Sequence, residues 1–198
     1  KSGLTGRVDV SQYRLFLHLT IAFIILGLIF YSLLRFFIDH NTNSDLIKRS
    51  NLLLILFILI FIQIIYGAFV SGTDSGLLYN TWPFYNGNLV PGDMFIQKKY
   101  LLNFFENGDF IVFFHRTFAF MLLLIIIYLN FLIFNKDSKY ETIVLIISFD
   151  LIFIIQGGIG VIMTFLNIPW YLALVHQGNS IILFLLSIYM WVLSRKSS

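Results

Sequence analysis

Five long apolar runs, at about 15–38, 50–71, 110–134, 142–166 and 170–193, leave this chain few folding options. Each reaches or exceeds the ~20 residues a helix needs to cross ~30 Å of hydrocarbon. Backbone polar groups inside a bilayer must be paired within the protein, which leaves helices or a closed barrel. A barrel would show ~10-residue segments alternating apolar and polar, and the stretch Leu122–Tyr128 does not alternate. The fold class expected is therefore an all-α integral membrane protein with five transmembrane helices. Only 12% of residues are charged, against about a quarter in soluble domains. The net charge of +3 is then assigned to membrane topology rather than to nucleic acid. With no cysteine, disulfides, thiolate haem ligation, iron–sulfur clusters and covalent c-type haem are excluded.

The connections divide unequally. Residues 72–108 form the longest loop, rich in Gly, Asn, Asp and aromatic residues; a structureless link of this length is uncommon unless functional. Tyr79, Trp82, Phe84 and Tyr85 within it are expected at the membrane interface. Seven basic residues (Arg35, Lys48, Arg49, Lys136, Lys139, Arg195, Lys196) fall on the short-loop side. Five (Lys1, Arg7, Arg14, Lys98, Lys99) fall on the long-loop side. That bias places the short loops in the cytoplasm, or the matrix if mitochondrial. His40 reads as a solvated loop residue, Asp74 in SGTDSG as a turn residue, and Glu106 and Asp109 as acids of an interfacial loop and helix start. Asp150 is the one carboxylate deep in a span. It is either packed on a polar partner or functional.

Three histidines sit about two turns inside the same end of their spans: His18, His115 and His176. Tyr13-x4-His18-x12-Tyr31 and Tyr171-x4-His176-x12-Tyr189 share one frame, and Gln63-x3-Gly67 is echoed by Gln156-x3-Gly160. Such echoes suggest an ancestral duplication with the site at the repeat interface. Ionisable residues within membrane spans are functional-site hypotheses by default. His115 and His176 lie on spans running the same way, each roughly 10 Å down its helix at 1.5 Å per residue. That suits two imidazoles on one haem iron, with Gly157, Gly158, Gly160 and Gly178 leaving room beside a flat ligand. Arg116, next to His115, and Gln177 and Asn179, next to His176, are candidates for the haem propionates. The plainer alternatives are interhelical hydrogen bonding for the histidines, close packing for the glycines and interfacial snorkelling for Arg116.

The stretches GAFVSGTDSGLLYNTWPFYNGNLVP (67–91), NFFENGDFIVFFHR (103–116) and LALVHQGNS (172–180) resemble the C-terminal half of the heme A synthase family. SGLTGRVDVSQYRLFLHLTIAF (2–23) resembles the loop and fourth helix closing its N-terminal half. The resemblance covers essentially the whole chain. It implies an oxidoreductase of two four-helix halves that oxidises a methyl group of haem O to the formyl group of haem A. His115 and His176 would hold a resident haem b, and His18 would serve the substrate-haem site of the other half. Three parts are expected: residues 1–40 as the last helix of a truncated first half, 41–51 as an inner loop, and 52–198 as a four-helix haem b-binding half. The family's catalytic glutamate precedes a histidine by three residues in a helix outside this chain. At that offset from His115 stands Val112, so the local site implies electron transfer or a structural role. The chain, beginning at Lys1, is expected to be the C-terminal part of something longer and inactive alone. Its expected partners are haem O, the bilayer, heme O synthase, an electron donor and further copies of itself. The expected location is a bacterial inner membrane or a mitochondrial inner membrane. A cytochrome b-type electron-transfer subunit without oxidation chemistry is the alternative, and a transporter or scaffold the non-redox one.

Overall fold

The computed structural model describes residues 11–37, 43–95, 100–134 and 138–195. His40 and the basic residues Lys1, Arg7, Lys98, Lys99, Lys136 and Lys196 lie outside them. Five long helices carry the described chain: α1 (Gln12–Phe37), α3 (Ser50–Gly72), α5 (Gly108–Ile133), α6 (Tyr140–Phe165) and α7 (Trp170–Leu193). Each is long and apolar enough to cross a membrane. Two single-turn helices, α2 (Ser44–Ile47) and α4 (Asn103–Glu106), sit in the connections. The long loop is not structureless: two 3-10 turns and α4 break it up, and Asp74 opens the first turn with a left-handed φ of 53°.

The helix ends follow local chemistry. Asn107 caps α5, its side-chain oxygen accepting the Asp109 and Phe110 amides at 3.0 and 3.3 Å. Asp109 then sits in the first turn, where an acid complements the helix dipole. The α6–α7 turn runs through Asn167 and Ile168, both left-handed (φ 54° and 53°). For a β-branched residue that conformation is an outlier. Ile168 is held there by its amide, which donates to the Met163 carbonyl at 2.9 Å, and by its side chain, which packs against Gly76 of the long loop.

The central helix is α3, packed against α1, α5 and α7, while α6 packs on α7 and meets α5 over a short stretch only. Helices α5 and α7 thus face each other across a four-helix bundle, and α1 lies in the outer groove between α3 and α7. Packing is uneven along the bundle. At the short-loop end Leu53, Leu56, Leu129, Ile133, Ile146, Phe149, Phe184 and Met190 are fully buried. Towards the long-loop end burial lapses between residues 113 and 121 of α5, beyond Phe149 in α6 and before Ser180 in α7. Lipid supplies no hydrophobic drive between helices, so association rests on close packing and polar contacts. Three helices that lose that packing at one depth leave a half-open stretch, a shallow cleft bordered by Gly157, Gly158 and Gly178.

The short-loop end is closed by a polar clasp. Asn43 caps α2, donates to Thr142 Oγ1 at 2.7 Å and takes the Leu193 carbonyl through its own amide at 3.0 Å. Asp45 accepts the Lys139 amide at 2.9 Å and the Thr142 hydroxyl at 3.0 Å. The Lys139 amide, the Thr142 hydroxyl and the neighbouring Lys139 and Lys48 charges hold the Asp45 carboxyl below the ordinary carboxylate range. Because the folded value is depressed, this carboxylate stabilises the fold fully above the unfolded value near 3.9. The contribution is lost as pH falls below that through the depressed value. Asp45→Asn is expected to cost about 1 kcal/mol or less at pH 7, a deficit that disappears below the depressed value; thermal melts in detergent across that range check it.

Candidate functional site

His115 and His176 project into the cleft from the facing helices α5 and α7. The two rings lie within electrostatic reach of each other. In both, Nδ1 is fully buried and has no hydrogen-bond partner, while the residue as a whole is only half-buried. The sealed, unpartnered nitrogen in each ring is Nδ1. Among the described residues no three His, Cys, Asp or Glu side chains converge on a metal site. A porphyrin-held iron asks the protein only for axial ligands, so a two-histidine site fits haem where it would not fit a bare ion.

Glycines shape the walls. Gly67 of α3 faces His115: a Cβ there would lie 3.5 Å from the ring's Cε1. Gly160 of α6 faces His176, where a Cβ would lie 3.3 Å from Cε1 and 3.8 Å from Nδ1. Gly157, Gly158 and Gly178 have no heavy atom within 4 Å of such a position, so they border open space. The Gln-x3-Gly echo now has a physical meaning. In both copies the glycine admits a neighbouring imidazole and the glutamine, one turn away, makes the polar tie. Gln63 donates to the His115 carbonyl at 3.0 Å, and Gln156 accepts from Asn179 at 2.8 Å.

Arg116 is placed differently from a residue devoted to propionates. Its guanidinium donates to the carbonyls of Thr81 at 2.9 Å and Tyr79 at 3.1 Å and sits 4.9 Å from the Tyr85 ring centre. Two of its five donors therefore pin the long loop to α5. Tyr79 continues the attachment, its hydroxyl donating to Asp109 at 2.9 Å; burial and that carboxylate push the phenol up to about 12. Trp82 stacks on Phe120 of α5 at 5.9 Å. Charge-assisted hydrogen bonds contribute about 2 kcal/mol, so Arg116→Ala should raise local opening of residues 79–85 roughly thirtyfold. Limited proteolysis measures this, and Arg116→Lys, without the planar fork, should fall between the two.

The other sequence-selected residues scatter. Gln177 is half-buried beside His176, and its carbonyl accepts the Ser180 hydroxyl at 2.7 Å. Asn179 commits its amide to the Ile152 carbonyl and to Gln156. Glu106 accepts the Tyr13 hydroxyl at 2.7 Å, tying α4 to α1. Asp150 accepts from Asn130 at 2.8 Å, a polar partner where α5 and α6 meet. His18 is exposed on α1, on a flank distinct from the inward line of Phe16, Leu19, Phe23, Leu26 and Phe30, and does not join His115 and His176. Sequence reasoning missed the loop carbonyls that Arg116 holds, because carbonyls carry no residue-type signal. It also missed the placement of Gly67 against His115, for which the echo was the available sign.

Comparison with known proteins brings in relatives. The family model described as cytochrome oxidase assembly protein matches residues 1–188. A heme A synthase of Wolbachia pipientis wMel is 38% identical over 207 residues, covering all of this chain and 55% of the relative. One from Pelagibacter ubique is 38% identical over 200 residues, covering all of the chain and 56% of the relative. One from Agrobacterium fabrum is 35% identical over 191 residues, covering 96% and 52%. The chain spans about half the length of these curated relatives. No solved structure matches it.

Proposed function

We propose a function from one premise: the chain belongs to the cytochrome oxidase assembly protein family. It forms the C-terminal portion of a heme A synthase, a multi-pass membrane oxidoreductase that converts the haem O methyl group to the formyl group of haem A. In this reading the cleft holds haem b. His115 and His176 would hold it, and Gln177 and the remaining donors of Arg116 would be the groups to meet its propionates. When bound, the haem supplies a one-electron couple. The observation carrying this reading is the pair of half-buried imidazoles on facing helices, each with a sealed and unpartnered Nδ1. Metal-bound histidines need one nitrogen free for the metal and the other held on the protein side.

The residues around the pair orient and shield rather than react. Val112, buried one turn before His115, carries no proton, and Asp109 is engaged by Tyr79. Among the described residues no Asp or Glu joins the two histidines in a cluster, which favours an electron relay or scaffold over the oxidation site. Residues 52–198 are assigned to the haem b half and His18, on the exposed flank of α1, to the haem O site. Heme O synthase as supplier, an electron donor and further copies of the chain are the proposed partners. The bacterial relatives favour a bacterial inner membrane over a mitochondrial one. Purified in detergent, the 198 residues should bind haem b, give sharp reduced bands and leave added haem O unconverted. Absence of any bound haem would refute the site. Formation of haem A by these residues alone would refute the division of labour.

A further inference from the structure

Two buried atoms on the α3–α5 contact lack what the other offers. Gln63 Oε1 is an acceptor with no donor, and His115 Nδ1 is a ring nitrogen with no partner. Gln63 is already fixed on this residue, its Nε2 donating to the His115 carbonyl at 3.0 Å. One turn further along α3, Gly67 sits against the ring's Cε1, the atom bonded to Nδ1. The glutamine therefore brackets His115 at its backbone, while its own oxygen and the nitrogen of the same residue's ring both stay unpaired. Leaving both unpaired in a membrane interior would cost several kcal/mol, and one hydrogen bond removes both deficits.

We propose that Gln63 is the positioning residue for His115, its Oε1 accepting the Nδ1 proton while its Nε2 holds the His115 carbonyl. The inference rests on the haem reading above and adds to it the group that sets the ligand. A neutral imidazole carries one proton, so fixing it on Nδ1 leaves the Nε2 lone pair available to a metal. The hydrogen bond also makes the imidazole a stronger electron donor, which favours ferric over ferrous iron. The second half of the Gln-x3-Gly echo works by a variant of this. Gln156 spends its side-chain oxygen on Asn179, and its backbone carbonyl lies close to the His176 ring. Only the His115 side thus depends on a replaceable side chain.

The test compares wild type, Gln63→Leu and Gln63→Glu, each loaded with haem b and titrated potentiometrically in nanodiscs. Gln63→Leu should weaken the ferric form about tenfold relative to the ferrous form, raising the midpoint by about 59 mV for a one-electron couple. Gln63→Glu, a stronger acceptor, should lower it while keeping the wild-type spectrum. Opposite shifts from the two variants are not a consequence of general damage at the site. Equal potentials, or shifts in the same direction, would overturn the proposal. Histidine ¹⁵N NMR of the haem-free protein is the second measurement: His115 should be the Nδ1–H tautomer in wild type and lose that bias in Gln63→Leu. An Nε2–H tautomer in wild type would overturn the pairing. A wild type that takes up no haem would sink the haem reading instead, and the tautomer would still decide the Gln63–His115 bond.

Discussion

Replacing either His115 or His176 with alanine should abolish the sharp reduced bands of the bound haem while leaving the helical bundle intact. The fold should survive because the fully buried Leu53, Leu56, Leu129, Ile133, Ile146, Phe149, Phe184 and Met190 all lie at the short-loop end. Both rings also stand in the part of the bundle where burial lapses. Haem retention should fall by more than the 10–100-fold that removing a group behind a metal ligand typically costs. Added imidazole should restore part of the spectrum in His115→Ala, since it can enter the space the ring vacates beside Gly67. Full bands in both single variants would remove these residues as ligands. Circular dichroism on the same samples separates ligand loss from unfolding.

A second large effect is expected at Gly160. A Cβ there already falls 3.3 Å from His176 Cε1, closer than packed carbons normally approach. Gly160→Leu would drive the imidazole out of its position against the rigid backbone of α6. Overpacking of this kind costs about 1–3 kcal/mol, which at 1.4 kcal/mol per decade is roughly a tenfold loss of haem or more. Gly157→Ala, three residues away, meets no heavy atom within 4 Å and should leave the haem-to-protein ratio unchanged. The contrast between two glycines on one helix tests whether the wall of the cleft, rather than glycine content, makes the room. Equal ratios in wild type and Gly160→Leu would contradict it.

The spans were legible because hydrocarbon imposes one rule on every backbone group it covers. The apolar run at 170–193 coincides with α7, and that at 50–71 falls one residue short of the end of α3. Errors gather where a helix begins in polar residues. The runs at 110–134 and 142–166 start two residues late, because Gly108-Asp109 and Tyr140-Glu141 are helical without being apolar. Short α2 escaped notice for the same reason, since its cap Asn43 and its acid Asp45 read as loop until Thr142 and Lys139 arrive from 94 or more residues away. The His115–His176 pair was legible from depth alone, as equal offsets on parallel spans fix height. Rotation about each helix axis is not fixed by depth, and that is where His18 parts company: it shares His176's frame yet is exposed on another flank. Arg116 shows the limit most clearly. Its charge and position were visible, but its partners are carbonyls of a loop whose path no residue pattern specifies.

The most direct measurement is the electron paramagnetic resonance spectrum of the ferric protein, read with its haem-to-chain ratio. Two imidazoles across one iron should give a single low-spin ferric signal at one haem per chain, lost when either histidine is replaced. A high-spin signal, or a low-spin one that survives both replacements, would mean that the facing imidazoles of α5 and α7 do not share an iron.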